Sequence, residues 1–344
     1  MTTVYYYAQT FETDPKTHLP TASSLAPLFA DATLQRTDTL VVYLASLHFG
    51  ATADEHAPYL HLNDTDVNAL DIFFADVQHQ CGLANCAVDI RVMLGGAGGA
   101  YTTLYSNYDV YYNLLKAFLL KYPFIRGIDL DVEETLDDEQ DKALAKIQTL
   151  VRMLHADFGS CGCSPGRSAV GTPPQPPPAP PPRQSFAITL APVGYSLTSQ
   201  TSLGMGGFSY YDLYSSEEGS YISHFNVQAY GCYDFGTFQE MLRTGYAADR
   251  LVMGMLGDDF GSATPFVQAM TELQKIRSAH RTTKGAILWE YGDTHIDGVA
   301  WGQAVRRVWN GCCGGGCTHH MNQRCLDAHL PETTNTSYSN CVIS

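Results

Sequence analysis

Phe124-Ile-Arg-Gly-Ile-Asp-Leu-Asp-Val-Glu-Glu134 decides the fold of this chain. The stretch opens as an apolar run, as a buried strand does, yet carries Asp129, Asp131 and Glu133 at every second position. Side chains alternate faces along a strand, so the three carboxylates share one face and Ile128, Leu130 and Val132 the other. Three acids crowded on one face of a core strand are costly unless they are hydrogen-bonded or share protons. A solvated strand end with incidental acids would not alternate so regularly with Ile, Leu and Val. The stretch is therefore the candidate active site.

Strand-like and helix-like segments alternate on both sides of this stretch. Strands are expected at residues 4–9, 40–49, 88–94, 124–133, 186–192, 221–230, 251–256 and 286–290. Helices are expected from an Asp64 or Thr65 cap through Val67, Leu70, Phe74 and Val77, and over residues 107–122, with Tyr111, Leu114, Leu115, Phe118 and Leu119 buried. Others are expected over 137–155, with Leu144, Ile147, Val151 and Leu154 as the apolar stripe, and over 266–276 and 304–309. Eight strands alternating with helices in roughly 310 residues predict an α/β fold, a (β/α)8 TIM barrel. In such barrels chemistry sits at the C-terminal strand ends. Here those ends carry Asp129, Asp131, Glu133, Gln228, Tyr230, Asp258, Asp259 and Trp289.

Residues 159–184 interrupt the pattern. Pro173-Pro-Gln-Pro-Pro-Pro-Ala-Pro-Pro-Pro-Arg183 forms neither helix nor interior strand and reads as exposed polyproline. Strand–helix alternation resumes directly afterwards, so a Pro-rich surface insertion into one barrel of residues 1–310 is preferred to a linker between domains. A Cys-containing C-terminal extension, 311–344, follows.

Composition narrows the partners. The chain has 344 residues, is 45% hydrophobic and 16% charged, and carries a net charge of -15. That balance argues against nucleic acid and anionic membranes, which want clustered Lys and Arg, and leaves neutral hydroxyl-rich ligands open. No apolar run approaches the ~20 residues of a membrane span. The first residues, Met1-Thr-Thr-Val-Tyr-Tyr-Tyr7, lack the basic and apolar regions of a signal peptide. Either export by that route is not expected, or the leader is missing. Ten cysteines, five of them after residue 310, hint at disulfides and favour an extracellular setting. The tail run Cys312-Cys-Gly-Gly-Gly-Cys317-Thr-His-His320 fits no common zinc spacing. Three acids on a strand without a ligand-rich loop are also unlike a calcium or magnesium cage, so no metal or other cofactor is expected. Asn63-Asp-Thr and Asn335-Thr-Ser are sequons. The loop Gly95-Gly-Ala-Gly-Gly-Ala-Tyr101 lacks the Lys-Ser/Thr of a phosphate-binding loop. Gly95 and Gly96 are read as close backbone packing beside a ligand or a neighbouring strand.

With these segments in place the chain resembles glycoside hydrolase family 18, which contains chitinases and endo-β-N-acetylglucosaminidases. The family's fourth-strand signature is D-G-x-D-x-D-x-E, and here the segment reads Arg126-Gly-Ile-Asp-Leu-Asp-Val-Glu133. Val92-Met-Leu-Gly-Gly96, Ile188-Thr-Leu-Ala-Pro192, Asn226-Val-Gln-Ala-Tyr230 and Ile287-Leu-Trp-Glu290 are similar to the third, fifth, sixth and eighth segments, in family order. Arg126 replaces the signature's first Asp, and parity puts it opposite the acids. Val132 stands where many chitinases have an aromatic residue, and should pack outward.

The resemblance implies retaining, substrate-assisted hydrolysis of N-acetylglucosamine linkages, an exception to the usual pair of protein carboxylates. Glu133 would be the general acid and base, Asp131 would orient the substrate acetamido group, and Asp129 would share a proton or hydrogen bond with Asp131. Tyr230 would donate to the acetamido oxygen. Gln228, Trp289, Tyr6, Gly95 and Gly96 would bind substrate, with Trp289 as a flat floor under a sugar ring. Asp258 and Asp259 read more simply as a solvated loop. The implied partner is chitin, a chito-oligosaccharide or another N-acetylglucosamine-containing glycan, met by a monomer. Two alternatives stay open: an endo-β-N-acetylglucosaminidase acting on N-glycans, and an inactive chitinase-like lectin. Such lectins usually lose the catalytic Glu or the preceding Asp, and both are retained here.

Overall fold

The computed structural model describes residues 2–17, 19–51, 58–63, 69–84, 86–159, 186–292 and 294–311. The Pro-rich stretch, the helix start at residues 64–68, Asn335 and the tail from residue 312 lie outside the described residues. The strands are β1 (Thr3–Ala8), β2 (Thr39–Ala51), β3 (Pro58–Leu62), β4 (Ala87–Gly95), β5 (Ile125–Asp131), β6 (Ala187–Leu190), β7 (Ile222–Gln228), β8 (Leu251–Leu256) and β9 (Ala286–Trp289). The α-helices are α1 (Ala26–Phe29), α2 (Leu70–Gly82), α3 (Ala100–Ser106), α4 (Tyr108–Lys121), α5 (Gln140–Leu154), α6 (Tyr210–Ser215), α7 (Phe235–Thr244), α8 (Ala263–Ala279) and α9 (Gly298–Asn310).

Eight strands pair in parallel and close on themselves, β1 pairing with both β2 and β9. The expected (β/α)8 TIM barrel is therefore present. The ninth strand, β3, was not expected. It runs antiparallel to the far end of β2, with Leu47 opposite Leu62 and Phe49 opposite Leu60. Pro58 and a five-residue length gave no separable strand signal, because β3 is an edge hairpin added to the barrel rim.

Closure divides the apolar residues in two. Outward-facing strand residues pack with the helices in one large cluster, which includes Val4, Tyr6 and Ala8 of β1 and Ile128, Leu130 and Val132 around β5. Inward-facing residues form a smaller cluster of Tyr5, Tyr7, Val41, Tyr43, Ala45, Met93, Val252 and Ile287, with Trp289 against it. Each helix lays one stripe on the outer cluster, as the 3.6-residue period requires. On α5 the stripe is Ala143, Ile147, Leu150, Val151 and Leu154, while Leu144 lies at its edge. On α4 it is Tyr112, Leu115, Phe118 and Leu119, rotated slightly from the expected face, with Tyr111 and Leu114 half-buried. Asp297 caps α9, its Oδ1 accepting from the N–H groups of Val299 (2.7 Å) and Ala300 (3.0 Å).

Cys81, Cys86 and Cys232 are unpaired thiols. The other seven cysteines of the sequence lie outside the described residues. No described helix is long and apolar enough to cross a membrane.

Candidate active site

β5 delivers its acids to the barrel axis as strand parity requires. Asp129 is fully buried, Asp131 is 4% exposed, and Glu133, just past the strand end, is half-buried. Arg126 lies on the opposite parity, exposed near the start of β5, away from the acids. Inward-facing Gly127 is fixed by crowding, since a β-carbon there would stand 2.6 Å from the carbonyl oxygen of Ala187 and 3.0 Å from Arg91 Cδ. Val132 packs outward against Gly206 and leaves the site alone. Glu134 turns away to serve α3, accepting from the N–H groups of Tyr101 (2.6 Å) and Thr102 (2.9 Å) and from Thr102 Oγ1 (2.5 Å). That carboxylate ties the end of β5 to the next rim loop and so helps to aim Glu133.

Asp129 is held by three donors. Tyr7 Oη donates to its Oδ2 (2.5 Å), and Thr189 Oγ1 (2.5 Å) and Asn226 Nδ2 (3.1 Å) donate to its Oδ1. Burial still wins, and its pKa rises to about 6, with these three hydrogen bonds and the Arg91 charge opposing. No hydrogen bond joins Asp129 to Asp131 among the described residues, and the Asp129 charge is one of the causes that raise the Asp131 pKa. Asp131 instead accepts from Gln228 Nε2 at 3.0 Å, and the same amide lies 3.4 Å from Glu133 Oε1 and donates to the carbonyl of Ala191 at 2.9 Å. Burial, then Glu133, then Asp129 push the Asp131 pKa well above the usual carboxylate range. Crowding thus favours the protonated form of Asp131, and a raised carboxyl pKa suits acid–base chemistry.

Beneath the acids the barrel interior is polar. Arg91, 8% exposed, donates from Nη1 to Tyr43 Oη (2.8 Å) and pairs with Asp89 through Nη2 (2.8 Å). The Tyr43 hydroxyl lies 3.3 Å from Thr189 Oγ1, completing a contiguous polar column from Arg91 to Asp129. A buried cation one layer below the carboxylates offsets part of their charge.

A pocket of ≈ 280 Å³ opens above Asp131 and Glu133. Ligand pockets usually start near 300 Å³, so this one has the size for a single ring. Gln228, Tyr230, Trp289 and Gly96 line it, together with Tyr7 and Met93. The Tyr230 hydroxyl stays protonated, because burial and then the charges of Asp131 and Glu133 raise its pKa well above 10. It is a donor whenever the acids are ionised. Trp289 stands edge-on to Tyr7, with ring centroids 5.1 Å apart.

Tyr6 does not reach the pocket, contrary to expectation. It faces α9, donating to the carbonyl of Gly298 (3.0 Å) and packing edge-on to Trp301 at 5.2 Å. Tyr7 takes the inner place, and sequence reasoning missed it. Three consecutive tyrosines hide the strand's parity, and only its register against Val41–Tyr43 of β2 resolves it. Gly95 sits behind the pocket, where a β-carbon would fall 2.2 Å from the carbonyl oxygen of Asp131. Gly96 donates its N–H to that oxygen at 2.9 Å. Asp258 and Asp259 are exposed on a rim loop, where Asp259 Oδ2 accepts from the N–H of Gly231 at 3.3 Å.

Two rim residues gave no catalytic signal in the sequence. Glu290, 6% exposed, accepts from Gln9 N (2.5 Å), Thr10 N (3.0 Å) and Thr10 Oγ1 (2.5 Å), and so fixes the loop after β1 beside Trp289. Asn63 donates to the carbonyl of Gln9 (2.7 Å) and accepts from Ser46 N (3.0 Å). The amide of the Asn63 sequon is thereby committed to the rim.

No family model matches the sequence, and no curated protein matches it. Solved structures do. A fungal endo-beta-N-acetylglucosaminidase from glycosyl hydrolase family 18 matches with TM-score 0.64 and 23% identity, over 89% of this chain and 97% of that one. A chitinase from Aspergillus fumigatus matches with TM-score 0.63 and 23% identity, over 86% and 94% respectively. The chain shares their barrel fold. A GH18 chitinase from Pseudoalteromonas aurantia matches at TM-score 0.55 and 15% identity, over 90% of this chain and 100% of that one. The barrel spans almost the whole of each.

Proposed function

We propose that this barrel is a family 18 glycoside hydrolase that cleaves β-1,4-linked N-acetylglucosamine chains with retention, the substrate acetamido group acting as nucleophile. The observation that carries the reading is Gln228 standing between Asp131 and Glu133 at the mouth of a one-ring pocket, with Tyr230 and Trp289 on its walls. Glu133, the more exposed acid, gives its proton to the glycosidic oxygen as the C1–O bond breaks. The acetamido carbonyl oxygen bonds to C1, and Asp131 accepts from the acetamido N–H, balancing the oxazolinium charge. Tyr230 donates to the acetamido oxygen and aligns it. Water then attacks C1, giving a proton to Glu133 and restoring the acetamido group. Asp129 tunes Asp131 by charge across the strand, and Trp289 supplies an apolar floor.

Beside the pocket lies a cavity of ≈ 710 Å³ that shares Gln9, Ser46 and Ala97 with it. A glycan of several residues is therefore accommodated. The likeness to an endo-beta-N-acetylglucosaminidase supports a second reading, N-glycan cores as the substrate. Product analysis by mass spectrometry of chitohexaose and of a high-mannose N-glycopeptide, each incubated with the protein, tests both. Cleavage of chitohexaose is expected. Cleavage of the glycopeptide alone would move the assignment to N-glycans, and two intact substrates would leave a sugar-binding protein.

A further inference from the structure

A second cavity, of ≈ 690 Å³, opens at the other end of the barrel, among the N-terminal ends of the strands. Its walls include Arg91, Arg277, Arg281 and Lys284, against Asp89 as the one carboxylate. In a chain with 35 Asp and Glu against 20 Lys and Arg, this is a local inversion of charge. Asp89 is engaged by Arg91 at 2.8 Å, and among the described residues Arg277, Arg281 and Lys284 form no ion pair. Arg277 lies over the ring of Trp309, 4.6 Å from its centroid, and Lys284 Nζ donates to the carbonyl of Ser223 at 2.9 Å. Arg277 and Lys284 are half-buried, so their positions are set by packing. Thr3, Tyr5 and Thr283 add hydroxyls to the same wall.

Residues at this end of a (β/α)8 barrel normally serve stability. A convergence of like charges does the opposite. Burial lowers the Lys284 pKa, and the charges of Arg250 and then Arg91 lower it further, with Asp249 opposing. Cations thus outnumber carboxylates in the cluster, and guanidinium groups offer paired N–H donors suited to oxyanions. We propose that this mouth binds a phosphate or sulfate group, as a free ion or borne on a small sugar. The site faces away from the catalytic pocket and stands independently of the proposed hydrolase activity.

Isothermal titration of the full chain with inorganic phosphate, glucose 6-phosphate and N-acetylglucosamine 6-sulfate tests the proposal, with sodium chloride at matched ionic strength as control. Saturable binding of at least one oxyanion is expected, with a rise in Tm on the order of 2 °C near saturation. The double variant Lys284→Met/Arg281→Ser should bind it about tenfold or more weakly. Its Tm without anion should change little, because removing two like charges from a crowded cluster offsets the lost hydrogen bond from Lys284 to the Ser223 carbonyl. Equal affinity for the free ion and the sugar ester would identify the anion itself as ligand, and tighter ester binding a charged sugar. General salting-out by phosphate would stabilise wild type and double variant alike. That result, no saturable binding by any of the three, or a variant of lower Tm with unchanged affinity would overturn the proposal.

Discussion

Glu133→Gln is expected to lower kcat/KM on chito-oligosaccharides by about 10³-fold, within the range for loss of a general acid and base. The substitution keeps the shape of a half-buried side chain whose Oε1 lies 3.4 Å from Gln228 Nε2, so the pocket should survive. It removes the proton that the leaving oxygen needs. A leaving group that is stable as an anion needs that proton less. The loss should therefore be smaller on a nitrophenyl glycoside than on a substrate with a sugar leaving group, when the first step is measured. A structural role would depress both equally. The substitution also removes one of the charges that raise the Asp131 pKa, so Asp131 should titrate lower in the variant. Steady-state kinetics with the two leaving groups makes the check. A Glu133→Gln protein with wild-type rates on both would remove Glu133 from the chemistry.

Asp129→Asn is expected to trade activity for stability, and to do so with a definite pH signature. Asp129 has an ordinary pKa of 3.8 when unfolded and about 6 in the barrel. A carboxyl whose folded pKa is raised stabilises the fold most when protonated, below pH 4, and loses that contribution as pH rises through 6. About two pKa steps correspond to about 3 kcal/mol, most of it lost between pH 4 and 6. An amide carries no such term. The variant should therefore gain in Tm relative to wild type between pH 4.5 and pH 8, by several degrees at most. Some of the gain is offset because the carboxylate's three donors, Tyr7, Thr189 and Asn226, must re-pair with an amide. Activity should fall, since one charge that raises the Asp131 pKa has gone. Thermal unfolding of both proteins across that pH range decides the matter. A Tm difference that does not change with pH would show that Asp129 titrates as an ordinary acid.

Much of this was legible in the sequence because one strand states its own parity. Asp129, Asp131 and Glu133 alternate with Ile128, Leu130 and Val132, so the inner face is unambiguous and the barrel followed from eight such segments. Where parity was silent, the reading failed. Tyr5-Tyr-Tyr7 carries no polar–apolar alternation, so nothing in it says that Tyr7 faces the pocket and Tyr6 the helices. The partners of Asp129 were equally hidden: Thr189 and Asn226 come from strands 60 and 97 residues distant, and no local pattern joins them. Glu290 and Asn63 act through backbone groups of the loop after β1, a contact that no spacing rule encodes. The cationic mouth was invisible for the same reason. Its cations come from β4, the end of α8 and the turn before β9, and converge only once the barrel closes.

Acetamido participation, with Asp131 and Tyr230 holding the group, leaves a stereochemical signature. It is tested most directly by proton NMR of the first product released from chitohexaose, recorded before mutarotation. The β-anomer is expected at the newly formed reducing end, together with tight binding of a methyl-thiazoline that imitates the oxazolinium ion. An α-anomer would show direct attack by water, and would contradict it.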